Sequence, residues 1–63
     1  MPSDETRRVL KLFGVAVTAY EDALEVGAPA EEVEKTAAEF ERRLHEVTAL
    51  IDRLRAASRV ARG

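Results

Sequence analysis

The chain has 63 residues, no cysteine and a net charge of −2. It is therefore one small domain or less, and neither a disulfide framework nor a thiolate metal site is available to it. Its apolar runs are only a few residues long, far below the ~20 that span a bilayer, and its start is polar and acidic, unlike a signal peptide. These features predict a soluble, cytoplasmic protein.

The first predicted helix covers 4–26. Ser3 is a good N-cap, and Asp4 and Glu5 suit the positive end of the helix dipole. The apolar residues that follow sweep roughly 220° of the helical wheel, whereas a helix that lies on one partner needs about 100° or somewhat more. Helix 1 is therefore predicted to contact more than one neighbour.

A short turn at 27–28 is predicted to separate helix 1 from a second helix over 29–61. Gly27 suits the position after a helix C-terminus, where a left-handed conformation costs glycine little. Pro29 suits the first turn of the next helix, with Ala28 as a weak N-cap. So short a connection forces the two helices to run antiparallel.

Helix 2 carries a continuous coiled-coil pattern. Apolar or small residues recur in alternating steps of four and three at Val33, Ala37, Phe40, Leu44, Val47, Ile51, Leu54, Ser58 and Ala61. Such an a/d seam predicts one long helix with another helix along it. Folding the chain at the turn pairs residues whose numbers sum to ~57. Val17 then faces Phe40, and Leu10 faces Val47.

The predicted fold class is all-α, a single antiparallel two-helix hairpin over 1–63 that dimerises into a four-helix bundle. A hairpin alone would leave aliphatic residues of helix 1 in water, which is unusual for a soluble monomer. The predicted oligomer interface comprises Leu10, Leu12, Phe13, Val17, Tyr20, Leu24, Phe40, Leu44, Val47, Ile51 and Leu54. Acidic residues cluster at the turn and basic residues at the opposite end, which favours an antiparallel homodimer. The alternative is docking on a larger protein.

Few residues suggest chemistry. His45 shares one side of helix 2 with Glu41 and Asp52, a set able to bind a metal, but a solvated helix face is the favoured interpretation. Tyr20 is interpreted as a core aromatic. Gly14 marks either close approach of another backbone or tolerated drift. No catalytic, cofactor-binding or metal residue is predicted, and we expect no enzyme activity.

The C-terminal stretch is basic. Arg53, Arg55, Arg59 and Arg62 occur there with no acidic residue after Asp52, and arginine is well suited to bind phosphate. The leading prediction is a non-enzymatic oligomerisation or adaptor module, or an accessory subunit of a larger complex. The alternative is an RNA- or DNA-binding regulator that uses these arginines. In size and predicted shape the chain resembles small plasmid regulators that dimerise two helical hairpins and bind RNA, a likeness of architecture that implies no site.

Overall fold

The protein is an antiparallel helical hairpin, which confirms the predicted all-α fold class. The computed structural model describes residues 3–62, and side chains as far as residue 59. Helix α1 spans Asp4–Glu25 and helix α2 spans Ala30–Arg62. They pack side by side in a rod of 51 × 18 × 13 Å. Neither described helix combines the length and apolar character that crossing a membrane requires. The side chains of Ala61 and Arg62, which the predictions include, lie outside the described part.

The start of α1 follows the prediction. The Ser3 hydroxyl oxygen accepts a hydrogen bond from the backbone N–H of Thr6 at 3.1 Å. The hydroxyl oxygens of Ser3 and Thr6 lie 3.0 Å apart. Asp4 and Glu5 occupy the first turn, where carboxylates interact favourably with the helix dipole. The cap thus satisfies a backbone donor that has no partner inside the helix.

Gly27 ends α1 in the predicted way. Its φ of 67° is left-handed, a conformation that glycine adopts without the penalty of a Cβ. The N–H of Ala28 donates to the carbonyl of Ala23 at 2.9 Å, and the N–H of Gly27 donates to that of Leu24 at 3.3 Å. These two bonds form a Schellman motif, which satisfies the last carbonyls of the helix and reverses the chain.

Helix α2 begins one position later than predicted, with Pro29 as its N-cap. The Pro29 carbonyl accepts hydrogen bonds from the N–H groups of Glu32 at 2.9 Å and Val33 at 3.1 Å. A residue whose carbonyl already accepts the first helical bond is the N-cap. Pro29, not Ala28, therefore occupies that position, and the regular helix starts at Ala30. The turn consequently occupies 26–29.

The interior between the helices is narrow. Val9, Ala16 and Ala23 are the buried residues of α1, and they recur every seventh position along one line. Leu50 is the buried residue of α2. Two of these four side chains are alanines, and small residues allow two helices to approach closely. The hairpin therefore buries little apolar volume of its own.

A stack of three aromatic rings fills the middle of the interface. The ring of Phe40 lies 6.0 Å from that of Phe13 and 5.8 Å from that of Tyr20, centroid to centroid. Phe40 of α2 thus sits between two residues of α1 that are two turns apart. These distances fall within the range in which aromatic pairs attract each other beyond simple burial. All three residues are half-buried between the two helices.

An exposed ion pair lies at the open end of the hairpin. Nη2 of Arg53 lies 3.0 Å from Oε2 of Glu5, which joins the first turn of α1 to α2. Helix α2 continues beyond this pair from residue 54 to residue 62, where no part of α1 lies opposite. This segment, 54–62, is called the overhang. Leu54 is exposed because it lies just past the end of α1.

The contact line between the two helices lies beside the predicted seam. Leu44 and Ile51, which belong to the predicted seam, are exposed, and Leu50 beside the seam is buried. Leu10, predicted to face Val47, is also exposed, while the neighbouring Val9 is buried. The reason is rotational, because α1 lies beside the seam rather than over its centre. Leu44 therefore lies roughly 60–70° around α2 from the line that faces α1.

Candidate interaction surface

One broad side of the hairpin is apolar and uncovered. Leu10, Val17 and Leu24 recur every seventh residue on α1, and Ala37, Leu44 and Ile51 do so on α2. Seven residues make nearly two helical turns, so each set forms a row along its helix. Both rows are displaced in the same rotational sense from the contact line. In an antiparallel pair of right-handed helices they therefore lie on the same side. These six residues are called the apolar face.

The apolar face is substantially open to solvent. Leu10 is 50%, Leu24 53%, Leu44 41% and Ile51 43% exposed. Val17 and Ala37, the two remaining members, are half-buried. Single exposed aliphatic residues are normal on soluble proteins, but a contiguous strip marks an interaction site. The strip extends along nearly the whole length over which the two helices overlap.

On the opposite side of the hairpin, the charged residues of α2 are paired with one another. Nε of Arg43 lies 2.8 Å from Oε2 of Glu39, and its Nη1 lies 3.0 Å from Oε1 of Glu46. The hydrogen bond to Glu46 and the charge of Glu39 raise the pKa of Arg43. The ion pair between Glu5 and Arg53 lies on this side too. The two broad sides therefore differ on α2, which is aliphatic on the apolar face and charged on the other side. On α1, Leu12 and Val26 are exposed outside the apolar face, at 36% and 77%.

The outer surface of α1 forms a second, shallower feature. It is a groove lined by Leu10, Lys11, Gly14, Val15, Thr18, Ala19 and Asp22. A Cβ added to Gly14 would meet no atom within 4 Å, so packing within the chain does not require glycine there. The Thr18 hydroxyl donates to the Gly14 carbonyl at 2.9 Å. The polar groups at this point are thus satisfied inside the helix.

The residues considered for metal binding lie in solvent. Glu41, His45 and Asp52 are all exposed. Among the described side chains, no three or more His, Cys, Asp or Glu residues are grouped closely enough to hold a metal ion. The structure therefore assigns no metal-binding geometry to this side of α2.

The arginines of the C-terminal stretch are in different situations. Arg53 is paired with Glu5. Arg55 and Arg59 are exposed on the overhang, and helical spacing places them on neighbouring lines of α2. Of the predicted set, then, one arginine is paired with a residue of α1 and two extend from the hairpin.

The comparisons with known proteins give no family. No protein-family model matches the chain, and neither a curated protein nor a solved structure shows significant similarity to it.

Proposed function

We propose that this protein is a non-enzymatic oligomerisation or adaptor module, which acts by packing its apolar face against another helical pair to complete a four-helix bundle. One observation carries the proposal: two parallel rows of aliphatic side chains lie exposed on the same side of the hairpin. A two-helix unit has no enclosed interior, and helix bundles bury their a and d positions by adding helices. The seam of α2 is centred between α1 and the open side, so a third helix completes it.

The size of the apolar face suits a stable complex. The helices overlap for about 33 Å, at 1.5 Å for each residue of α1, and the rod is 18 Å wide. The product is roughly 600 Å² in projection, and a rugged surface has a larger accessible area, close to the ~800 Å² per partner of ordinary specific interfaces. Full burial of a leucine or isoleucine contributes about 1.5–3 kcal/mol. Covering this face therefore stabilises a small fold appreciably.

The first expected result is that the protein self-associates. Sedimentation at tens of micromolar should give about twice the 7.0 kDa chain mass, because burial of the apolar face stabilises the fold. Helicity measured by circular dichroism should fall on dilution, since dissociation removes that stabilisation. A folded monomer of 7.0 kDa, with helicity independent of concentration, would contradict self-association.

Nucleic-acid binding is a second candidate function, which the exposure of Arg55 and Arg59 on the overhang favours. A surface that binds phosphate releases counterions, so its affinity falls steeply with salt. Under this function the protein should bind heparin or mixed RNA at ~50 mM salt and lose most of that affinity by ~200 mM. Filter binding across the salt series measures it, with Arg55→Gln as the affected variant and Arg42→Gln as the matched control. Absence of binding at low salt would exclude this function.

A further inference from the structure

We propose that the partner on the apolar face is a second copy of this chain lying antiparallel, with Arg55 of each copy beside Glu34 of the other. This inference rests on the proposed function and adds the identity and direction of the partner. It follows from three features: the charge difference between the two ends of the rod, the row of residues that borders the apolar face, and the symmetry of that face about Leu44.

The two ends of the rod have opposite charge. Between Glu21 and Glu34 the chain contains six acidic residues and no lysine or arginine, and all six are exposed around the turn. The open end contains basic residues from the start of α1 and from the last third of α2. An antiparallel neighbour places each acidic turn beside a basic end, whereas a parallel neighbour places the two acidic turns together. Charge patterns of this kind select the orientation of a complex.

A row of polar residues borders the apolar face along the outer edge of α2. It consists of Glu34, Glu41, Thr48 and Arg55, each seven residues after the last, and all four are exposed. In an antiparallel α2–α2 contact centred near Leu44, Glu34 comes level with the partner's Arg55. The same geometry brings Glu41 level with the partner's Thr48. The twofold axis thus forms the Glu34–Arg55 ion pair twice.

The apolar rows fit the same symmetry. About Leu44, Ala37 comes level with the partner's Ile51, so a small side chain meets a large one, which favours interdigitation. Because Phe40 lies between Phe13 and Tyr20, the level of Leu44, one helical turn further along α2, is that of Phe13 on α1. The same axis therefore brings Leu10 close to the level of the partner's Val17. The overhang, which has no α1 residue opposite it, extends past the partner's turn. Within the overhang, Arg55 is the arginine that comes level with the partner's Glu34, next to that turn.

A parallel dimer would bury the same apolar area, but repulsion between like charges would disfavour that arrangement. The twofold axis then runs along the rod and stacks α1 on the partner's α2. Glu34 is brought close to the partner's Glu21, and the overhang arginines have no acidic turn beside them. Because hydrophobic burial is similar in both arrangements, modest electrostatic differences decide between them.

Charge reversal tests the predicted pair. Glu34→Arg or Arg55→Glu alone should weaken dimerisation about tenfold at low salt, because symmetry replaces two attractions by two repulsions. The double variant Glu34→Arg/Arg55→Glu should restore the dissociation constant to within about threefold of the parent. Glu32→Arg is the matched control, because the same charge change two residues away lies roughly 160° around α2 from Glu34, and it should shift the constant less than threefold. Failure of the double variant to recover would overturn the pairing.

Cysteine crosslinking tests the direction separately. Leu44→Cys should form a disulfide between copies because it lies near the twofold axis, and Ala28→Cys should not, because antiparallel turns are at opposite ends. The reverse result at concentrations that preserve the dimer would overturn the antiparallel arrangement and leave the proposed module intact. A monomeric parent protein by sedimentation would instead defeat self-association itself. The two failures are therefore distinguishable.

Discussion

Phe40→Ala is expected to unfold the hairpin. Phe40 lies between Phe13 and Tyr20, with ring centroids 6.0 and 5.8 Å away, so its removal leaves those two rings without the aromatic neighbour that they share. Truncation of a core phenylalanine costs about 3–5 kcal/mol, and the half-exposed ring of Phe40 points to the lower end. A domain of this size has only a few kcal/mol of stability. Far-ultraviolet circular dichroism should therefore show loss of most helicity at 25 °C.

A conservative variant provides the control. Phe40→Leu keeps an apolar side chain of similar reach, so it should cost roughly 1.5 kcal/mol or less and leave a cooperative thermal transition at a lower temperature. Retention of full helicity by Phe40→Ala would show that the aromatic stack does not hold the helices together. Stability would then have to come from the narrow Val9, Ala16, Ala23 and Leu50 line.

Leu44→Glu is expected to abolish association. Leu44 is 41% exposed in the single chain, so the change costs the hairpin itself little. It introduces a carboxylate into the centre of the apolar face. In a twofold dimer both copies carry the change, so the loss of binding free energy occurs twice. The combined loss is at least about 3 kcal/mol, which raises the dissociation constant more than a hundredfold. Sedimentation should show the monomer mass at concentrations where the parent protein is dimeric.

Ala38→Glu is the matched control for this test. Ala38 is exposed and lies on the side of α2 that faces away from both α1 and the apolar face. The variant adds the same charge to the same helix, so it should leave the dimer mass unchanged. Equal behaviour of the two variants would show that association does not use the apolar face.

Local signals were sufficient to predict the helix ends. Ser3 caps α1, and Gly27 turns the chain with a positive φ, because a cap and a Schellman turn depend on a few neighbouring residues. Pro29 was misplaced by one position, since proline is compatible with both the N-cap and the first turn. The hairpin topology then followed from the shortness of the connection.

The rotation of the helices was not predictable in the same way. Leu50 is buried, yet it belongs to the same helix row as Thr36 and Arg43. Because those two residues are polar, the sequence does not identify this row as a contact line. The more regular seam of α2 suggested an interior that included Leu44. Both helices have apolar arcs wider than one neighbouring helix covers. A local sequence pattern does not indicate which part of such an arc contacts the other helix of the same chain. Tertiary packing decides it, here through the aromatic stack.

The sequence predicted which residues seek apolar contacts. It did not predict which of them contact the other helix of the same chain and which remain exposed. Leu10, Leu24, Leu44 and Ile51 belong to the predicted oligomer interface, and the structure leaves all four exposed. Phe13, Tyr20 and Phe40, predicted in the same set, lie between the two helices of one chain. The heptad pattern identifies residues that are stabilised by an apolar neighbour. It does not indicate whether that neighbour belongs to the same chain.

The turn at 26–29 also determines the order of events during assembly. Because it is so short, contacts between α1 and α2 near it join residues close in sequence, and such topologies fold within microseconds to milliseconds. Two chains at ten micromolar, with an ordinary association rate constant of about 10⁶ M⁻¹ s⁻¹, meet only after roughly 0.1 s. Each copy therefore samples the closed hairpin many times before an encounter. For the proposed dimer, the short turn therefore favours a meeting of two closed hairpins over a meeting of two unfolded segments.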